Sequence, residues 1–364
     1  MKISIIISNR NEGPNLWHTI HSLYNDLTSW LAVGEFEIIV VDQLSDGRDV
    51  TFIEGRGAIV SGVVRVAYDP IMGNTSSRDW AVRNMARGDV VFFCDSHMSI
   101  RPGATRLLYE DVQNHPTAIV HPRVAWFFEL PPKGGYGYSV KLSGRLWGTW
   151  NRLAPVTDAP FAVPASGHCF FAITKAHYLN IGGYSKHLRV YGGAEVGLDF
   201  KNWLLGGVCL TEPRALVYHL SAGRGYSWHQ DDLIHNLMFL AETVCGRPWA
   251  ERCRYEYLNK IGAKEERINE LFDQAMRESP EDKAFIEERR VMTFEELLDR
   301  LPWDQWNMER YGKANSGILI YDIRRILKGA ILERFLADPV QQKLEEKIHG
   351  DWSRHVYKGD DGLI

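Results

Sequence analysis

The chain has 364 residues, 45% of them hydrophobic and 24% charged, with 42 lysines and arginines against 46 aspartates and glutamates for a net charge of −4. Such values describe a globular protein of about two domains with ample chain for a core. They exclude a disordered, collagen-like or disulfide-stapled chain, and they speak against a strongly basic nucleic-acid binder, although a local basic patch can hide in the average.

The first predicted element is Ile3–Ser8, a continuous apolar run of the kind that a parallel strand buried on both faces requires. Asn15–Leu31 reads as a helix, with Leu16, Ile20, Leu23 and Leu27 at three- and four-residue spacing. Phe36–Val41 is a second strand, ending at Asp42, and Val63–Ala67 a third. Thr75–Arg87 is helical, with Thr75 or Ser76 as N-cap, and Asp89–Cys94 is a fourth strand, ending at Asp95. This alternation predicts an α/β fold with a mostly parallel, doubly wound sheet. Ligands bind such sheets beyond the carboxyl ends of the strands, where the Asn9–Glu12 turn, Asp42 and Asp95 all fall.

Further along, 123–151 holds Trp126, Trp147 and Trp150 among Gly134, Gly135 and Gly137, and reads as a β-hairpin or a flap. Cys169–Ile173 is another strand and Asp199–Leu205 a short helix. Helical spacing then recurs over 228–245, 264–278, 281–290, 294–301 and 318–336. Residues 1–250 carry 22 basic and 22 acidic side chains, whereas the much shorter 251–364 carries 20 and 24. The expected organisation is a catalytic α/β domain over 1–230 and a helical region over 231–364.

Five cysteines, an odd number without a Cys-x-x-Cys pair, point to a reducing compartment rather than to a disulfide framework or zinc finger. The apolar run Ile3–Ile7 is too short for a signal-peptide core, and no stretch reaches the roughly 18 apolar residues of a membrane span. The expected location is the cytoplasm.

Three groups of residues offer chemistry. Asp95-Ser96-His97 follows a buried strand, so a carboxylate and an imidazole fall near one spot, a pairing suited to a divalent ion that bridges a diphosphate. The blander reading is a strand-end Asp that caps the next turn. In Tyr191-Gly192-Gly193-Ala194-Glu195, followed by Asp199, two glycines permit a sharp turn or the approach of a ligand. Glu195 and Asp199, four apart, then share a face at a helix start, either as stabilising charges or as a base or acceptor-binding carboxylate. His219 ends an apolar strand and is either a third metal ligand or a structural hydrogen-bonding residue.

The order of these pieces resembles the GT-A-fold glycosyltransferases of family 2. Ile5-Ile6-Ile7-Ser8-Asn9-Arg10-Asn11-Glu12 resembles their opening strand and nucleotide-contacting turn. Val40-Val41-Asp42 with Ser45-Asp46-Gly47 resembles their second-strand motif, with Gln43 in place of a second Asp. Arg78, Ala81 and Asn84 resemble the helix that approaches the diphosphate. Asp95-Ser96-His97 replaces the more usual Asp-x-Asp and is similar to the variant of the polypeptide N-acetylgalactosaminyltransferases, in which a later His, here His219, is the third metal ligand. Segments 164–173, 181–184, 191–193, 200–203 and 206–207 follow the same family order. Where those transferases read Trp-Gly-Gly-Glu-Asn, this chain has Tyr191-Gly192-Gly193-Ala194-Glu195, which puts Glu195 at the second acidic position of inverting family-2 enzymes.

The resemblance implies a metal-dependent transfer of sugar from a nucleoside-diphosphate sugar, a UDP-sugar, to a hydroxyl acceptor. Mn²⁺ or Mg²⁺ would be held by Asp95, His97 and His219. Asn9, Glu12, Asp42, Arg78, Asp95, Tyr191 and Gly193 would contact the donor, with Arg78 adding a cation at the diphosphate, Arg224 or a nearby flap residue adding another after closure, and Asp42 reading uracil or ribose. Glu195 would be the base, with Asp199 beside it, and Trp147, Trp150 or Tyr191 would stack on a sugar unless they are core. The first expectation for the acceptor is a saccharide. A hydroxymethylated pyrimidine in DNA is the alternative, suggested by Arg324, Arg325 and Lys328 beside Trp303, Trp306 and Tyr311. A non-catalytic nucleotide-sugar-binding protein is the reading from another class.

Overall fold

The computed structural model describes residues 1–45, 64–68, 73–127, 134–141, 147–151, 158–220, 229–260 and 264–301. All of these lie in one compact unit. Arg224, the cationic and aromatic residues of 303–328, the helix expected over 318–336, and Asp46 and Gly47 lie outside the described residues.

Strands β1 (Ile3–Asn9), β2 (Phe36–Asp42), β3 (Val64–Tyr68) and β4 (Val90–Asp95) form the parallel half of a nine-stranded sheet. Their β-branched and aromatic residues suit a pleated surface covered on both faces, and Ile5, Ile6, Ile39, Val40, Phe92 and Phe93 are fully buried. Register matters most for the site. β1 pairs with β2 from Ile3↔Phe36 to Asn9↔Asp42, and with β4 from Ile3↔Val90 to Ser8↔Asp95. Three strands therefore end level, and Asn9, Asp42 and Asp95 stand on one edge.

Helix α1 (Pro14–Thr28) enters through Gly13 and Pro14 and buries Leu16, Ile20, Leu23 and Leu27, as its spacing predicts, in one core with α3 (Ala104–Asn114) and one sheet face. Helix α2 (Asn74–Asn84) follows β3. The other half of the sheet is mixed. β10 (Phe170–Thr174) is antiparallel to both β4 and β6 (Ala118–Trp126), β11 (Val208–His219) is parallel to β6, and short β5 (Met98–Ile100) closes the edge antiparallel to β11. β9 (Phe161–Ala162) pairs with β11. The tryptophan-rich stretch is a hairpin of β7 (Tyr138–Lys141) and β8 (Trp147–Trp150), one of its two expected forms.

Helix α4 (Lys175–Asn180) follows β10, and α5 (Ala194–Leu204) begins five residues ahead of the helix expected at Asp199. Then come α6 (Gln230–Leu240), a π-helical turn (Ala241–Cys245), α7 (Arg247–Lys260), α8 (Glu265–Glu278), α9 (Pro280–Arg289) and α10 (Phe294–Arg300). All but α7 match an expected segment. In α7 the buried Trp249, Ala250, Cys253 and Tyr257 are interleaved with buried Arg252 and Glu256, which hides the helical stripe. Among the described residues no helix is long and apolar enough to cross a membrane.

Candidate active site

Backbone pairing assembles the metal-ligand cluster. β4 delivers Asp95, the chain turns through Ser96 and His97 into β5, and the β5–β11 ladder sets Met98 opposite His219. Leu220 N donates to His97 O at 3.0 Å, which draws the end of β11 against the turn. Thr19 of α1 fixes the same turn, because its Oγ1 accepts from Met98 N at 2.8 Å and lies 3.0 Å from Ser96 O.

As a result, one ligand atom from each of Asp95, His97 and His219 lies within 4.8 Å of the others. His97 Nε2 and His219 Nε2 are 3.2 Å apart, and His219 Nε2 is 3.4 Å from Asp95 Oδ2. The three side chains are 23%, 20% and 16% exposed, so the cluster opens to solvent at one side.

These residues fit a divalent ion. One carboxylate oxygen and two imidazole nitrogens make a mixed donor set suited to a first-row ion such as Mn²⁺ better than to Mg²⁺, which prefers oxygen. Glu12 Oε1 lies 3.1 Å from His97 Nδ1. A proton donated from Nδ1 to that carboxylate leaves the Nε2 lone pair facing the cluster, the arrangement by which outer carboxylates orient metal-binding histidines. Arg78 Nη2 donates to Asp95 Oδ1 at 2.6 Å and leaves Oδ2 to the cluster. Burial alone would raise the Asp95 carboxyl, but the hydrogen bond from His219 and the charges of Arg78 and His97 outweigh it and hold Asp95 well below the usual carboxylate range.

Two residues expected at the donor lie beside the metal-ligand cluster. Arg78 is 1% exposed, and its guanidinium donates to Asp95 and, at 3.0 Å, to His168 O. Glu12 is 8% exposed and faces His97.

Beside the cluster, the ends of β1 and β2 form a polar pocket wall. Asp42 Oδ1 accepts from Asn9 Nδ2 at 2.7 Å and Ser45 Oγ at 2.6 Å, and its Oδ2 accepts from Ser45 N at 3.0 Å. Its carboxylate thereby shapes the turn. Gln43 explains its own presence, since Nε2 donates to Ser77 Oγ at 2.8 Å while Oε1 accepts from Gly73 N at 3.1 Å. An aspartate could not donate, so only an amide ties β2 to the start of α2 in both senses. Asn9 Oδ1, Asn74 Oδ1 and Thr75 Oγ1 are buried and make no hydrogen bond among the described residues. Buried polar atoms seldom go unpaired, which marks this edge for a polar ligand.

The third group lies at the start of α5. Gly193 adopts φ +74° and Glu195 falls in the first helical turn. Burial, with Asp95 and Asp199 adding to it and His168 and Arg78 opposing, pushes the Glu195 carboxyl above its ordinary value. Asp199, expected beside it as a second catalytic carboxylate, is held in a hydrogen-bond network. It is fully buried, and it accepts from Ser166 N at 2.6 Å, Ser166 Oγ at 2.9 Å and His168 Nε2 at 3.1 Å. His168 Nδ1 lies 2.7 Å from Tyr184 OH. Asp199 thus anchors the 166–168 segment, whose His168 carbonyl holds Arg78. His168 stood in a recognised motif, but nothing in the sequence marked its partner.

The glycines of this motif pack against leucines on the side where a Cβ would stand. A Cβ on Gly192, at φ +105°, would sit 2.3 Å from Leu233 Cδ1, and one on Gly193 2.9 Å from Leu237 Cδ2. Tyr191 is half-buried. Trp150 packs across Gly167 and lies 4.5 Å from the Tyr138 ring, so it is largely core. Trp126, to which no role was assigned, stands 5.7 Å from the His219 ring and 6.4 Å from Trp150. Trp147 lies on β8, its side chain outside the described set.

A mostly parallel sheet with an Asp-x-His at the end of its fourth strand and a His at the end of a later one defines a GT-A fold. Residues 4–177 match the family model Glycosyl transferase family 2. The chain's relatives include polypeptide N-acetylgalactosaminyltransferase 4 of Mus musculus, 27% identical over a 277-residue alignment that covers 71% of this chain and 45% of that protein. Polypeptide N-acetylgalactosaminyltransferase 10 of Homo sapiens is 25% identical over 238 residues, 60% of this chain and 37% of that one. The chain thus spans less than half the length of these relatives. Among solved structures, GalNAc-T7 with UDP, GalNAc and Mn²⁺ superposes with a TM-score of 0.68 at 19% identity, covering 84% of this chain and 57% of that one. S. aureus TarS 1–349 in complex with UDP-GlcNAc gives 0.52 at 12% identity, over 92% of each chain. At these identities the likeness is one of fold.

Proposed function

We propose that this chain is a metal-dependent glycosyltransferase that moves a sugar from a UDP-sugar to a hydroxyl acceptor. The observation that carries the reading is the convergence of Asp95, His97 and His219 at strand ends of a chain whose residues 4–177 match the family 2 model. These three residues would hold Mn²⁺, and the ion would supply positive charge against the leaving diphosphate. The chain's own groups do the rest. Arg78 keeps Asp95 ionised and aimed, and Glu12 sets the His97 ring. Asn9, Asn74 and Thr75 offer unpaired polar atoms to the nucleoside end of the donor, beside the turn that Asp42 shapes. The Glu195 carboxylate takes the proton of the attacking hydroxyl, and its raised pKa suits a base working closer to neutral pH. Gly193 and Tyr191 border that carboxylate.

The acceptor is proposed to be a saccharide hydroxyl. A hydroxyl of a polypeptide is the second reading, favoured by the names of the relatives. The basic and aromatic residues that suggested DNA lie outside the described residues. The complete ligand trio opposes a purely non-catalytic role. Five free, buried cysteines support placement in the cytoplasm.

The test is UDP release from a panel of UDP-sugars, including UDP-GalNAc and UDP-GlcNAc, with Mn²⁺ or with EDTA. Oligosaccharides, Ser/Thr peptides and hydroxymethylated DNA serve in turn as acceptors. Release from one donor that EDTA abolishes is expected, and a stimulating acceptor names the class. No metal-dependent release with any donor and any acceptor would overturn the proposal.

A further inference from the structure

We infer that Asn236, on helix α6 more than forty residues beyond the motif it serves, is a positioning residue for Glu195. It clamps the 189–192 segment and thereby fixes where α5 begins. The inference rests on the reading of Glu195 as proton acceptor.

The segment before Gly193 belongs to no strand or helix, so its backbone groups need partners from elsewhere. Asn236 supplies them from a single side chain that is 1% exposed. Its Oδ1 accepts from Arg189 N at 2.9 Å, and its Nδ2 lies 3.2 Å from Arg189 O, 3.2 Å from Tyr191 O and 3.1 Å from Gly192 O. A side-chain amide carries an acceptor and two donors in one plane, which no apolar or acidic residue of that size can reproduce.

The helix around Asn236 is seated on the same motif. Gly192, Gly193 and Gly197 lie against Leu233, Leu237 and Leu240, one stripe of α6, at distances that leave no room for a Cβ. Arg189 is held a second time, by Gln274 Oε1 of α8 at 2.8 Å. From the clamped Gly192 carbonyl to Glu195 the chain advances only three residues, two of them Gly193 and the first residue of α5. A displacement of the clamped segment therefore reaches the carboxylate with little to absorb it, and misplacing a reacting group by about 1 Å can cost on the order of 100-fold in rate.

The test uses the full chain, with UDP and Mn²⁺ as the binding probe and metal-dependent UDP-sugar turnover as the activity. In N236L, amide hydrogen exchange at 189–193 is expected to accelerate and turnover to fall on the order of 100-fold. UDP affinity is expected to stay within about threefold of wild type, since the metal ligands are untouched. Unchanged exchange, unchanged turnover, or a parallel loss of UDP affinity would overturn the inference. Should N236L not fold, G197A provides the second route, because its Cβ would meet Leu240 Cδ2 at 2.4 Å. G197A should lose turnover and the double variant G197A/L240A should regain it, and failure of that rescue would overturn the clamp. E195Q separates the two claims. An active E195Q removes Glu195 as base while the exchange experiment still decides the clamp, whereas an inactive E195Q beside a fully active N236L removes the clamp alone.

Discussion

The two ends of the site are built in different ways. At the metal end, strand ladders do the work: β4 ends level with β1, β5 pairs with β11, and His97 and His219 meet because Met98 and His219 are opposite one another. Side chains refine that meeting through Glu12 and Arg78. At the Glu195 end no ladder exists, and position comes from side chains, with Asn236 and three leucines of α6 holding a loop of glycines. A backbone-built site is robust to substitution around it. A side-chain-built site is fixed only as firmly as its most exposed contact, and it can move without unfolding the sheet.

The largest expected effect lies at the metal end. D95A or H219A should abolish Mn²⁺-dependent turnover, and H219A should do so with native circular dichroism, since unlike D95A it leaves no buried guanidinium without its carboxylate. Wild-type turnover in either would break the comparison outright. Next comes E195Q, expected to lower turnover about 10²- to 10⁴-fold with UDP binding intact.

The same carboxylate sets a pH dependence. Its folded pKa is raised, and only the ionised form is a base, so activity should climb as pH rises through that value, at a pH above the ordinary glutamate value. An acid limb at the ordinary carboxylate pKa would transfer the role to another group.

D199A tests stability more than chemistry. It strips the acceptor from Ser166 and His168 and should cost about 3 kcal/mol in urea unfolding. Native stability with turnover gone would restore Asp199 to the catalytic set. The smallest effect belongs to Glu12. E12A should weaken Mn²⁺ binding roughly 10- to 100-fold, and E12Q, which keeps an acceptor for His97 Nδ1, should lose less. Equal affinity in all three proteins would mean that the ring is set by the ladder alone.

The same contrast explains what could be read from the sequence. Continuous apolar runs marked β1, β2 and β4, and a ligand-bearing Asp or His at a strand end is visible as such, so Asp95, His97 and His219 stood out and do converge. Arg78 and Glu12 were found as residues, but their contacts with Asp95 and His97 were not, because a motif gives position in the chain and not the atom a side chain will face. Asp199 shares a helical face with Glu195, yet helical spacing does not say which of two acids the core will bury. Gly192 and Gly193 read as room for a ligand, and only the packing of α6 reveals that leucines fill it. Asn236 carried no signal at all, since its three carbonyl partners come from a segment more than forty residues away.

The most direct measurement is Mn²⁺ binding to the full chain, followed by the loss of the free-ion paramagnetic resonance signal, in wild type and H219A with and without UDP. The account predicts a single site in wild type, tightened by UDP, and a severe loss of affinity in H219A. Equal binding by the two proteins would contradict the assignment of Asp95, His97 and His219 as the metal centre.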